Sequence, residues 1–179
     1  MSPLLGPSSA PAAELVRRTG VPSGDGQTRA TLAIMGRVAR AAAINPRIVN
    51  VATDIVRHVP GREVARQVAE LAAWARSSIE FLPDPLFDGD WIRTPALLLD
   101  ELARHGRARG DCDDAAVLVA ALGMAIGIPA RFRAVAFRPG GPFEHVWTEL
   151  QTPAGWLTVD PTRGTERMRP ITREMIAEV

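Results

Sequence analysis

Three short motifs contain residue types that can do chemistry together. They are Gly110-Asp111-Cys112-Asp113-Asp114, Phe143-Glu144-His145-Val146-Trp147 and Val159-Asp160-Pro161-Thr162. Cys112 stands where a Gly-rich loop gives way to a strongly apolar stretch that reads as a helix. A helix N-terminus carries about half a positive charge and unpaired N–H groups, which favour a thiolate over a thiol. The same N–H groups could hold an oxyanion formed on a substrate carbonyl. A lone cysteine is more often a small buried apolar residue, yet three neighbouring aspartates are poor company for one. Those aspartates also oppose ionisation of the thiol, so activation needs a base or a cation nearby. Asp113 and Asp114 suit the first turn and are expected to cap it.

His145 is the expected base. Two strand-like segments, 143–150 and 155–160, are joined by Gln151-Thr152-Pro153-Ala154, an ordinary hairpin length. Pairing Leu150 with Gly155 sets His145 directly opposite Asp160, with Cβ atoms about 4.5–5.5 Å apart. Asp160 would then hold one imidazole nitrogen and leave the other for the thiol. Singly, His145 reads as a half-buried histidine and Asp160 as a strand-ending turn residue. Together with Cys112 they make a nucleophile, a base and its orienter. His58 and His105 read as surface residues. Asp111, Asp113 and Asp114 lack the glycine turn and closing Glu of a calcium loop, so no metal is expected.

The elements around these motifs follow from periodicity. Residues 28–43 carry Leu32, Met35, Ala39 and Ala42 on one helical face. Asn45-Pro46 restarts a helix that runs to about residue 59, and a third covers about 61–78. Residues 79–95 read as an ordered loop and 95–104 as a short helix. From Asp111 about 15 residues are apolar on all sides, the pattern of a central helix. Strands are expected at 131–137, 143–150 and 156–160, then a weak helix from about Ile171. Helices first and antiparallel strands later argue for an α+β domain. Residues 1–26, rich in Pro and Gly, read as a flexible arm with at most a turn of helix around 12–18, and 27–179 as a single domain.

Composition narrows the function classes. The chain has 179 residues and a net charge of +1, and all 21 positive side chains are Arg, since Lys is absent. A lysine base or Schiff base is therefore excluded, and the scattered arginines make no nucleic-acid surface. One cysteine excludes an internal disulfide and a multi-thiolate zinc site. No apolar run reaches the length of a membrane helix, and no signal peptide is recognisable. A reducing compartment, the cytoplasm, is the expected location.

The three motifs, in the order Cys, His, Asp, resemble those of the transglutaminase-like superfamily, with similarity over about residues 60–162. The Gly-Asp-Cys-Asp-Asp start, Asp84-Pro85 and Thr94-Pro95 are similar to the short bacterial and bacteriophage members. The resemblance implies a papain-like fold, with the Cys-bearing helix packed on a small antiparallel sheet, and thiol-dependent acyl-enzyme chemistry on amides without a cofactor. Cys112 would be the nucleophile, His145 the general acid/base and Asp160 its orienter. A residue upstream of the cysteine helps hold the oxyanion in that family, a position open to Trp91 or Asp90. Trp147 and Trp156 share the face of His145 by strand alternation and would either wall a substrate cleft or pack in the core. Arg131 and Arg133 read as solvated edge charges.

The expected activity is that of a thiol protease, amidase or acyl transferase acting on a peptide or protein. Hydrolysis is favoured over crosslinking because no amine-acceptor site is legible. The rival expectation is a structural component of a phage particle or tail, which keeps the fold as a docking module. Its support is the arm at residues 1–26, which a partner would have to order; its location would be the virion.

Overall fold

The all-round apolar run after Cys112 becomes the axis of the molecule. The computed structural model describes residues 15–17, 24–82, 91–162 and 169–179. In α5 (Cys112–Ala125) every residue from Asp113 to Gly123 is buried. A helix apolar on all sides needs partners all round. They are α1 (Asp25–Ala43), α2 (Pro46–Val56), α3 (Val64–Ser78), α4 (Pro95–His105) and the strand β6 (His145–Thr152). Two of these helices start as their sequences dictate. Asn45 accepts from the N–H of Arg47 at 2.9 Å ahead of Pro46, and Thr94 accepts from Leu97 ahead of Pro95. Ser/Thr/Asn caps followed by Pro satisfy the first N–H groups and remove one of them.

An antiparallel sheet of order β7-β6-β5-β8 completes the expected α+β architecture. Its other strands are β5 (Ala130–Ala136), β7 (Gly155–Val159) and β8 (Arg173–Glu178). One face carries Ala130, Phe132, Ala134, Val146, Thr148 and Leu150 to the core around α5. The Thr148 hydroxyl donates to the carbonyl of Ala116 at 2.6 Å and ties strand to helix. Gly123 is small for a packing reason: a Cβ there would lie 2.5 Å from Leu150 Cδ2. On the opposite face Trp147, Val135 and Phe137 form a second apolar cluster with Ile171.

Several expectations need correction. The weak helix from Ile171 is instead β8, an edge strand paired with β5. Its alternating burial is a strand signal that the mixed polar composition of 171–179 obscures. Leu15–Arg17 is a strand, β1, antiparallel to β3 (Trp91–Arg93), where a helical turn was expected, and α1 already begins at Asp25 inside the expected arm. The rest of the arm lies outside the described residues. The loop regions on either side of α4 also contain a parallel pair, β2 (Ile79–Phe81) with β4 (Ala108–Gly110). Three-residue strands carry too little periodicity to be read locally.

The hairpin register is also shifted. Thr152 pairs with Gly155, so the turn is two residues long, Pro153-Ala154, rather than four. Gly155, at φ 119°, supplies the backbone conformation that lets it close. A shift of two residues in the pairing preserves the faces, because strand side chains alternate with period two. Trp147 and Asp160, not His145 and Asp160, are therefore in opposed positions, and His145 reaches Asp160 along the diagonal. Arg131 and Arg133 lie on β5, an interior strand, and not on an edge. Glu149, 2% exposed, accepts from both at 2.7 and 2.9 Å. Arg133 also pairs with Glu174.

Candidate active site

β4 delivers the chain to the start of α5, where Cys112 is the first helical residue. Asp111, not Asp113 or Asp114, is the cap: its Oδ1 accepts from the N–H groups of Asp113 and Asp114 at 3.2 and 3.3 Å. Two of the first-turn donors are thus occupied. The Cys112 N–H has no intrahelical partner by position and is the donor left for an oxyanion. Asp114 is buried and accepts from the backbone N–H of Arg93 at 2.7 Å, which fastens β3 to the helix start. Gly110 makes room for it, since a Cβ there would lie 2.9 Å from the Asp114 side chain. The three carboxylates lie within 4.8 Å of one another. Asp111 and Asp114 each spend an oxygen on backbone N–H groups at this junction.

His145 opens β6, and its Nε2 lies 2.6 Å from Asp160 Oδ2. Both side chains are largely buried. The other carboxylate oxygen, Oδ1, accepts from the N–H and hydroxyl of Thr162 at 3.1 and 2.8 Å. Asp160 is thus both an end-of-strand turn residue and a histidine partner. Burial alone would raise its pKa, but the hydrogen bonds from His145 and Thr162 and the neighbouring imidazole outweigh it and hold the carboxyl below its ordinary value. Thr162 was not singled out from the sequence. The Asp-Pro-Thr string that forms such a turn was the available signal.

The thiol meets an environment hostile to charge. Burial pushes the Cys112 pKa up to about 12, with Asp113 and Asp111 adding to the rise and Asp160 contributing less. A backbone hydrogen bond from Val146 works the other way. This bond joins the sulfur to the residue next to His145, so strand and helix meet at the thiol. With Nε2 engaged by Asp160, Nδ1 is the imidazole nitrogen left to receive a proton.

Cys112 and His145 line one cavity of about 580 Å³. Its remaining walls come from the start of α1, including Thr31, Leu32 and Met35, and from the segment 140–144 ahead of β6. The α1 wall was invisible in the sequence, because nothing local says that this helix borders the cysteine. Asp90 lies outside the described residues, as do Asp84 and Pro85. Trp91 starts β3 and is not among the described residues that line the cavity. Trp147 and Trp156 do not line it either. Trp147 is 2% exposed in the second apolar cluster, its ring 5.7 Å from that of His145. Trp156 stacks under the guanidinium of Arg131 at 4.3 Å. Packing is the role observed for Trp147, while Trp156 is half-buried under Arg131 and belongs to neither apolar cluster. His58 and His105 are at the surface, and His58 faces Glu70 at 3.3 Å.

A family model described as the transglutaminase-like superfamily matches residues 49–161. The chain belongs to the transglutaminase-like superfamily. The match begins in α2, earlier than the motif resemblance from about residue 60, and ends just past Asp160. No curated protein matches the chain. Solved structures similar to this superfamily member include one from Parabacteroides distasonis named a "putative protease", at 14% identity and a TM-score of 0.52. It covers 81% of this chain and 31% of the other. Another, from Cytophaga hutchinsonii and named a "putative cysteine protease", has 23% identity and a TM-score of 0.49, covering 65% and 37%. The chain thus spans about a third of the length of these proteins. At 14% identity the likeness to the Parabacteroides distasonis structure speaks for the fold alone. Among the described residues no helix is long and apolar enough to cross a membrane.

Proposed function

We propose that this transglutaminase-like protein is a cysteine-dependent amide hydrolase or acyl transferase that acts on a peptide or protein. Cys112 is the nucleophile, His145 the general acid/base and Asp160 the orienter. The observation that carries the reading is the 2.6 Å His145–Asp160 contact beside a cavity that also holds Cys112. The name given to the similar structure from Parabacteroides distasonis, "putative protease", agrees with it.

In the reaction, Asp160 holds Nε2–H, so the lone pair of Nδ1 accepts the thiol proton as the sulfur attacks the amide carbonyl. Because the resting thiol is neutral, the proton leaves as the new C–S bond forms and not beforehand. The carbonyl oxygen becomes an oxyanion that the Cys112 N–H can meet. The imidazolium then protonates the departing amine and a thioester remains on Cys112. Water, deprotonated by His145, releases the acid; an amine in its place gives a new amide. No cofactor enters this sequence. A docking module within a phage particle has no observation at this site in its favour.

The test is a mixed peptide pool incubated with the wild type, Cys112→Ala and His145→Ala, read by mass spectrometry with and without an added primary amine. New termini, or amine conjugates, that appear only with the wild type are expected. A pool left unchanged by a folded wild type, with no acyl adduct on Cys112, would overturn the proposal.

A further inference from the structure

Strand β8 ends the sheet, and its outer edge runs beside a row of arginines. Val179 donates its N–H to the carbonyl of Ala130 at 3.1 Å, so alternate residues of β8 bond to β5. By the antiparallel pattern Glu174, Ile176 and Glu178 turn their backbone N–H and C=O groups the other way. Among the described residues no strand lies beyond them. A groove of about 410 Å³ follows this edge between β8 and α1, and Arg29, Arg37 and Arg40 stand along its α1 side. Their spacing puts them on one helical face, with the small Ala33 and Gly36 between them. All three arginines are exposed, and among the described residues none has an ion-pair partner.

We propose that this edge docks an extended peptide segment with acidic side chains at alternate positions, which adds a further strand beside β8. Such a strand would satisfy the outward N–H and C=O groups of β8. Its side chains alternate between the two faces of the sheet, and α1 stands on one of them. Along the α1 axis Arg29 and Arg37 are about 12 Å apart, and Arg37 and Arg40 about 4.5 Å. Three successive carboxylates on one face of a strand span about 13 Å, which matches the row. The other set of side chains meets Ile176, 42% exposed, and an apolar residue fits there. The unpaired strand edge favours a peptide over another polyanion, since a nucleic acid offers no strand to pair with it. A second copy of this chain is a poor occupant. Antiparallel pairing about Ile176 would oppose Glu174 to Glu178 and set one arginine row against another. The groove lies on the far side of α1 from Cys112, with Leu32 reaching both cavities, so the proposal does not depend on the role of the thiol.

The experiment reads the fluorescence anisotropy of a short labelled peptide in which Glu alternates with Val or Thr, titrated with the whole chain. Controls are the same peptide with Lys in place of Glu, and a single-stranded oligonucleotide of equal negative charge. Saturable binding of the Glu peptide is expected, at least about tenfold tighter than that of the Lys peptide and weakening as salt rises. Arg37→Glu combined with Arg40→Glu changes two exposed side chains and should weaken it at least about tenfold.

Backbone methylation then separates strand pairing from charge attraction. In a docked strand one alternate set of peptide N–H groups faces β8 and the other faces solvent. N-methylation of the first set should abolish binding, and N-methylation of the second should leave it nearly intact. Ile176→Pro removes an outward N–H without touching the bonds to β5, and it should also abolish binding. Should that variant not fold, the methylated peptides carry the same test. No saturable binding, equal affinity for the Glu and Lys peptides, or an arginine variant that binds like the wild type overturns the proposal. So do two methylated peptides that bind alike, or an oligonucleotide that binds as tightly as the Glu peptide.

Discussion

Ionisation of Cys112 is the property that most sharply separates this site from a preformed thiolate. The folded thiol sits near 12 against an ordinary 9.0, because burial and the charges of Asp113 and Asp111 oppose the anion. Three pH units are about 4 kcal/mol, or about a thousandfold less thiolate at any pH below 9. The assay is the rate of iodoacetamide alkylation from pH 6 to 10, on the native protein and on the chain in denaturant. The denatured chain should level off near pH 9. The native rate should keep rising about tenfold per pH unit to pH 10 and lie about a thousandfold lower at pH 8. His145→Ala should change that profile little while abolishing turnover, because the imidazole takes the proton only during attack. A native plateau well below pH 8.5 that disappears in His145→Ala would refute this reasoning and show a resting thiolate–imidazolium pair. The same shift has a consequence for stability. Above pH 9 the unfolded chain releases the thiol proton while the folded one retains it, so stability falls between pH 9 and about 12, and below 9 the group contributes nothing.

Other expectations follow from individual contacts. Asp160→Asn keeps the shape but loses the charge that favours the Nε2–H tautomer, so kcat should fall by about 10²–10⁴ with little change in KM. The depressed Asp160 pKa contributes stability above its ordinary 3.8 that disappears as pH falls below that value, so the stability gap between wild type and Asp160→Asn should be constant above that pH and narrow below it. Glu149→Gln removes the charge that two arginines share; it should cost about 1.5–3 kcal/mol in urea unfolding, and an unchanged midpoint would make the network inconsequential. Gly123→Ala should destabilise by about 1–3 kcal/mol despite the better helix former, because Leu150 is fully buried and cannot yield to the new Cβ. Shortening the partner in Gly123→Ala/Leu150→Val should recover part of that loss.

What the sequence determined by itself is local or strictly periodic. Cys112 at a helix start followed from a loop turning into an apolar run, and the helix start at Asn45-Pro46 followed from a side chain that satisfies its own neighbour's N–H group. His145 and Asp160 were legible as partners although the hairpin register was misjudged by two residues. Alternation with period two keeps both side chains on one face in either register. The tertiary structure decided everything that depends on who lies next to whom across long stretches of chain. β8, β1 and the short β2–β4 pair exist because a distant strand offers hydrogen bonds, which no local pattern reports. Whether Trp147 packs or lines a cleft depended on the second apolar cluster on the sheet's outer face. The state of the thiol was beyond the sequence as well, since helix start and aspartates oppose each other there. Only burial, a property of the assembled core, tips that balance toward a neutral sulfur.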